Sequence, residues 1–216
     1  MKRFLLPILI TLFLISASAV FTLNFRALYY HDISSLNIEE ISGYSEHVIR
    51  ENYNALIDYN SIFHRDPLDL SLPMSREGRI HFQDVKRIFD VLQIICLITL
   101  TASLILGIRS WKQGCRKFLR NSAILSVLLP AAAGILIASN WENAFILFHE
   151  IMFSNDYWIF DERTDPVIQI LPDEFFLHCA LMIIALILAA SLCMGLIYLR
   201  RICSLNCPPS PNPTYP

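Results

Sequence analysis

Two histidines stand where an imidazole has something to act on. His81 precedes one long apolar run and His149 follows the next, each among aromatic and acidic side chains. Imidazole titrates near pH 6.5, so it can give or take a proton under physiological conditions. One histidine in such a place is usually an ordinary interfacial residue; two at one depth are a candidate catalytic pair. His31, His47 and His64 lack that setting, and His178 reads as the start of an apolar run. His149-Glu150 opens like the zinc pattern H-E-x-x-H, but Phe153 occupies the place of the second histidine. A metal hydrolase using His81, His149 and the carboxylates of Asp156, Asp161 and Asp165 has no ligand spacing behind it. The chain has no G-x-S-x-G elbow and no glycine-rich phosphate loop, which disfavours serine hydrolysis and phosphoryl transfer.

Partners for such a pair are concentrated in residues 145–176. That stretch holds seven acidic residues, the adjacent rings of Tyr157 and Trp158, and two prolines. A long connection of mixed composition is a functional candidate, because loops are usually short and bland. Its acids are placed to orient an imidazole, which fixes the tautomer and raises basicity. Its rings are suited to holding an amphiphile. The plain alternative is an aromatic belt with solvated charges.

The elements that must position these groups are membrane spans. Residues 4–25, 91–108, 121–141 and 175–199 contain no Asp, Glu, Lys or Arg. A helix needs about 20 residues to cross a hydrocarbon core of about 30 Å. Four such runs in 216 residues exclude an ordinary soluble domain. The fold class is therefore all-α: a polytopic membrane protein with four transmembrane helices and two large extracellular loops. One domain, residues 1–205, carries spans at about 4–25, 88–108, 119–140 and 175–199, with outer loops 26–87 and 141–174. Residues 206–216 form a proline-rich tail, expected to be disordered and cytoplasmic.

Charge sets the orientation. Lys2, Arg3, Arg109, Lys112, Arg116, Lys117, Arg120, Arg200 and Arg201 fall on one side, and all 19 acidic residues fall on the other or at the outer span ends. Positive charge stays cytoplasmic, so both termini are expected inside and the loops outside. Neither loop contains cysteine, so the six cysteines read as free thiols. Lys2-Arg3, an apolar run and Ala17-Ser18-Ala19 resemble a cleavable signal peptide, but the run continues to spanning length and favours a retained helix.

In the first loop, residues 44–59 have helical spacing. Tyr44, Val48, Leu56, Tyr59 and Phe63 can share a face, suited either to the headgroup region or to capping the bundle. Residues 68–73 alternate like a short extended segment. Pro130, with Ala131-Ala132-Ala133-Gly134 after it, predicts a bent third span that a neighbour approaches closely.

Several stretches resemble one known family. His81-Phe82-x-Asp84-Val85-Lys86 is similar to its first signature. Phe148-His149, Asn155-Asp156-x-Trp158-x-Phe160-Asp161-x-x-x-Asp165, Ile168 and Pro172-x-x-Phe175-Phe176 are similar to its second. These are signatures of the bacterial lipoprotein intramolecular transacylases, four-span proteins of low-GC Gram-positive bacteria. The resemblance implies movement of an acyl chain from the sn-2 oxygen of a diacylglyceryl group to the α-amino group of the lipidated N-terminal cysteine. It makes His81 and His149 the essential pair. Asp84, Asn155, Asp156, Trp158, Asp161 and Asp165 become the supporting or substrate-positioning set. It implies diacylglyceryl-modified lipoproteins and membrane lipid as partners, with no metal, nucleotide, acyl-CoA or other cofactor and no nucleic acid. Two other classes compete: a non-catalytic membrane binding or assembly protein, and a hydrolase of lipid or lipoprotein esters.

Overall fold

The computed structural model describes residues 2–206, and the proline-rich tail at 207–216 lies outside them. Eight α-helices occur among the described residues: α1 (Lys2–Asn24), α2 (Arg26–Ser35), α3 (Ile38–Ser42), α4 (Glu46–Tyr59), α5 (Arg76–Lys112), α6 (Lys117–Ser139), α7 (Trp141–Met152) and α8 (Asp173–Asn206). A 3-10 turn at Pro166–Ile170 precedes α8. Four of the helices, α1, α5, α6 and α8, are long and apolar enough to cross a membrane.

Among these four, α1 is the common neighbour of the other three. α1 packs along α5, α6 and α8, and α6 packs along α8, while α5 lies principally on α1. Small hydroxyl side chains line the seams. Thr11 and Ser126 hydrogen bond across α1 and α6 at 3.3 Å, and Ser16, Ser122 and Ser126 are fully buried. Small polar residues let helix backbones approach where lipid offers no hydrophobic drive. α6 runs unbroken through Pro130. The apolar side chains of the spans point outward instead: Leu97, Ile98, Ile124, Leu128 and Leu192 are exposed, as a hydrocarbon surround requires.

The densely packed core lies at one end of the bundle, in a cap. Tyr29, Ile33, Ile38, Ile49, Tyr53, Leu56, Ile57, Leu68, Leu72, Val167 and Ile170 bury one another, joined by Phe82 of α5 and Phe175 of α8. α5 is the link between bundle and cap. At about 1.5 Å per residue its 37 residues span about 55 Å, far beyond a bilayer core. Its charge-free segment runs over 91–108, and its first turns join the cap through Phe82.

The first loop is thus mostly helical, and α4 caps the bundle with Ile49, Tyr53, Leu56 and Ile57 inward. Phe63 does not join that face; it follows the helix end and is 85% exposed. The segment at 68–72, expected to be extended, forms no strand and bends at Ser71 and Leu72, with Leu68 and Leu72 buried. Asn52 holds it: its amide donates to Ser71 Oγ at 2.8 Å and its Oδ1 accepts from Leu72 N–H at 3.2 Å. Tyr29 stacks on Tyr53 with centroids 3.7 Å apart, and its hydroxyl donates to the Ile170 carbonyl. Burial pushes both phenols up, so Tyr29 stays a donor. His178 meets the buried carboxylate of Asp32 at 2.8 Å and ties α8 to α2. His178 had read only as the start of an apolar run. Cys96, Cys115, Cys179 and Cys193 are free thiols.

Candidate active site

His81 sits in the second turn of α5, and its position is set by how that helix begins. Ser75 is the N-cap: its Oγ accepts from Gly78 N–H at 2.9 Å. In a capping box, a carboxylate three residues into the helix accepts the N-cap's own N–H. Here that place is Gly78, and the carboxylate comes from the other loop: Asp165 Oδ1 accepts from Ser75 N–H at 2.7 Å. Thr164 donates to Asp165 Oδ2 at 2.7 Å. A negative charge is favoured at a helix N-terminus, and Asp165 is only 3% exposed. Asp165 thus locks the start of α5, and with it His81, without touching either imidazole.

His149 comes from α7, which Asn140 starts afresh after α6 by accepting from Asn143 N–H at 2.8 Å. Its Nδ1 lies 2.8 Å from the Phe145 carbonyl. A carbonyl only accepts, so Nδ1 carries the proton and Nε2 is left as the basic nitrogen.

The two rings meet. Their centroids are 6.3 Å apart with planes 29° from parallel. Aromatic rings close the surroundings: Phe153 is 4.7 Å from His81 and 5.7 Å from His149, Phe160 stands edge-on to His81 at 5.4 Å, and Trp158 stacks on His149 at 4.8 Å. His81 is 6% exposed, and its Nδ1 has no hydrogen-bond partner among the described residues. Burial, and then the neighbouring His149, lower its pKa to about 4, with Asp84 opposing. Burial lowers His149 too, against the Phe145 hydrogen bond. Both imidazoles are therefore neutral near pH 7.

The expected supporting residues divide. Asp84 lies one turn after His81; its Oδ2 accepts from Asn155 Nδ2 at 3.2 Å and its Oδ1 pairs with Arg87 at 2.7 Å. Trp158 is in the site, and Asp165 supports it from behind. Asp161 is not there: it is exposed and paired with Arg163 at 2.6 Å, which holds its carboxyl down at about 2. Asp156 is exposed as well, offering its backbone carbonyl to Ile159 N–H. No carboxylate among the described residues hydrogen bonds to either catalytic candidate, so the orienting group is a backbone carbonyl instead. No three His, Cys, Asp or Glu side chains among them are arranged to hold a metal ion. Sequence reasoning missed Phe145, Phe153, Ser75 and Gly78. The Ser75–Gly78 spacing before an apolar helix was the one available signal.

Fold and site together define an integral membrane protein with a neutral histidine pair in an aromatic enclosure between bundle and cap. The family model for the lipoprotein intramolecular transacylase Lit matches residues 4–176. The chain belongs to that family of membrane transacylases. It is similar to the solved structure of the membrane-integral lipoprotein intramolecular transacylase Lit from Bacillus cereus, with 37% identity, 93% of this chain and 94% of the other covered, and a TM-score of 0.90. Two structures of that protein with one histidine changed match at 36% identity. The arginine form has a TM-score of 0.83, with 93% of this chain and 90% of the other covered. The alanine form has a TM-score of 0.84, with 93% and 91% covered. No curated protein sequence matches the chain.

Proposed function

We propose that this chain moves an acyl chain from the sn-2 oxygen of a diacylglyceryl-modified lipoprotein to the α-amino group of the same lipidated cysteine. The product is the N-acylated lyso-form. The single observation that carries the reading is the pair of neutral imidazoles 6.3 Å apart, one with a free basic nitrogen and one with an unpaired buried nitrogen. The substrate's amine attacks the ester carbonyl, and His149 Nε2 takes the proton that the nitrogen loses. His81 donates a hydrogen bond to the oxyanion that develops. A C–N bond forms, the C–O bond to glycerol breaks, and the proton passes to the glyceryl oxygen. Atoms and charge balance without a co-reactant. Both reacting groups belong to one molecule, so holding them in place supplies much of the acceleration. Trp158 and Phe153 wall the site, and the Asn155–Asp84 contact keeps the second loop against α5. The cap faces the extracellular side and the termini the cytoplasm, on the distribution of basic residues.

Mass spectrometry of a lipoprotein's N-terminal peptide, from a host with and without this protein, tests the reading. Transfer keeps the total mass and moves one acyl group to nitrogen. Hydrolysis lowers the mass by one chain, and a binding protein changes neither.

The lowered pKa values predict an unusual pH profile. An α-amino group titrates at about 7.7–8.0, and an ordinary histidine at about 6.5. The rate is expected to rise with pH as the substrate amine loses its proton. His81 should add no inflection near 6.5, because that ring stays neutral down to about 4, and any inflection from His149 is moved below 6.5 by its burial. Initial rates between about pH 5 and 9 in reconstituted vesicles decide it. An acid limb centred on 6.5 would place a solvent-exposed imidazole in the rate-limiting step. Stability has the opposite origin and the same direction. The unfolded chain binds a proton at position 81 below about 6.5 that the folded chain refuses until about 4, so folding weakens as pH falls across that window.

A further inference from the structure

The turn that follows α4 carries the most exposed large apolar side chain among the described residues, Phe63 at 85%. We propose that this turn, residues 61–64, inserts into the bilayer leaflet on the cap side, with Phe63 as the inserted group.

Depth is the first support. Gln93 lies inside the charge-free run of α5, two residues past its start, which is about 3 Å along the helix. Its amide nitrogen donates to the Asn60 carbonyl at 2.9 Å, and its Oε1 accepts from Ile62 N–H at 3.2 Å. The turn therefore hangs down α5 to the level where apolar surface begins. Around it Val91 is 56% exposed and Ile94 45% exposed, so the ring continues a surface already suited to lipid. Lys86 marks the polar edge above, its ammonium donating to the carbonyls of Tyr59 at 2.8 Å and Ser61 at 3.0 Å. Arg87, with a side chain 76% exposed, and the exposed Arg65 supply cations at headgroup height.

Backbone satisfaction is the second support. Irregular chain that meets lipid must find partners for its own donors, since the bilayer offers none. All four N–H groups of the turn have one: Ser61 to Asp58 O, Ile62 to Gln93, Phe63 to Ser61 Oγ at 3.3 Å, and His64 to Ser61 O at 3.0 Å. A surface turn in water has no need of that. Aromatic side chains near such a boundary act as interfacial anchors, and this one would hold the α4–α5 corner of the cap to the membrane.

Phe63→Trp in the full chain, reconstituted in phosphatidylcholine–phosphatidylglycerol vesicles, provides the test. The parent protein's emission from Trp111, Trp141 and Trp158 is subtracted. The added emission is expected to be blue-shifted, to lose more than half its intensity when the lipid is brominated near the top of its chains, and to resist aqueous acrylamide. Strong acrylamide quenching with no effect of bromine would put the turn in water and overturn the proposal. Protection from both would mean that protein covers the ring, and would also overturn it. A parallel measurement needs no variant: a phospholipid with a photoreactive group high on its acyl chain should label the peptide containing Phe63 in the parent protein. Labelling confined to the spans would sink the idea.

Discussion

Alanine in place of His81 or His149 is expected to lower the transacylation rate by about 10²–10⁴-fold, the range for removing a positioned acid or base. The two changes should not add. The rings work on one proton and one oxyanion within a single enclosure, so the double variant is expected to be about as slow as either single one. The measurement is the rate of N-acylation of a diacylglyceryl lipopeptide by protein in vesicles, with thermal melting to confirm folding. His149→Ala is the cleaner variant for chemistry, because that ring is only half-buried. His81 is packed among Phe82, Phe153 and Phe160, so its loss also opens a cavity and costs stability. A folded His149→Ala protein turning over within a few-fold of the parent would remove the pair from the mechanism.

The four spans were legible because lipid imposes a rule on sequence itself: charge is excluded over a fixed length. The cap obeys no such local rule. α2 buries Tyr29, Asp32 and Ile33 among polar neighbours, and nothing in that stretch shows that Asp32 has a partner 146 residues away. Phe63 followed the apolar spacing of α4, yet the helix stops at Tyr59 and the turn swings the ring outward. In the site, residue type pointed to the histidines, because few side chains titrate near neutrality. It also pointed to carboxylates as their orienting groups. The backbone of Phe145 does that work for His149, and a carbonyl is present at every residue, so composition cannot mark the one that matters. Asp165 illustrates the same limit. Its type suggested a partner for imidazole, whereas its contact is with Ser75 N–H, 90 residues earlier, through a helix start.

Gly78→Ala is expected to damage both stability and turnover, although glycine to alanine within a helix is ordinarily stabilising by about 1 kcal/mol. A Cβ there would stand 2.3 Å from Asp165 Oδ1 and 3.0 Å from Phe160 Cε1. The carboxylate cannot step aside cheaply, since Ser75 N–H and the Thr164 hydroxyl hold both its oxygens and it is buried. Phe160 is held too, stacked on Phe82 at 5.7 Å and edge-on to His81. Relief must come from breaking the cap or shifting the first turns of α5. Overpacking costs about 1–3 kcal/mol and a lost cap about 1 kcal/mol more, against a helix-propensity gain of about 1 kcal/mol, so a net loss of about 1–3 kcal/mol is expected. A shift of about 1 Å in His81, three residues on, is enough to slow the chemistry by about 10²-fold. Gly107→Ala, in the charge-free part of the same helix with open space around its Cβ, should be neutral or mildly stabilising. Adding Asp165→Ala to Gly78→Ala removes the clash, so the pair should melt higher than the sum of the single effects predicts, while turnover stays low because the cap is gone. If Gly78→Ala melts and turns over like the parent, Asp165 does not fix the start of α5, and the position of His81 is set from the span below.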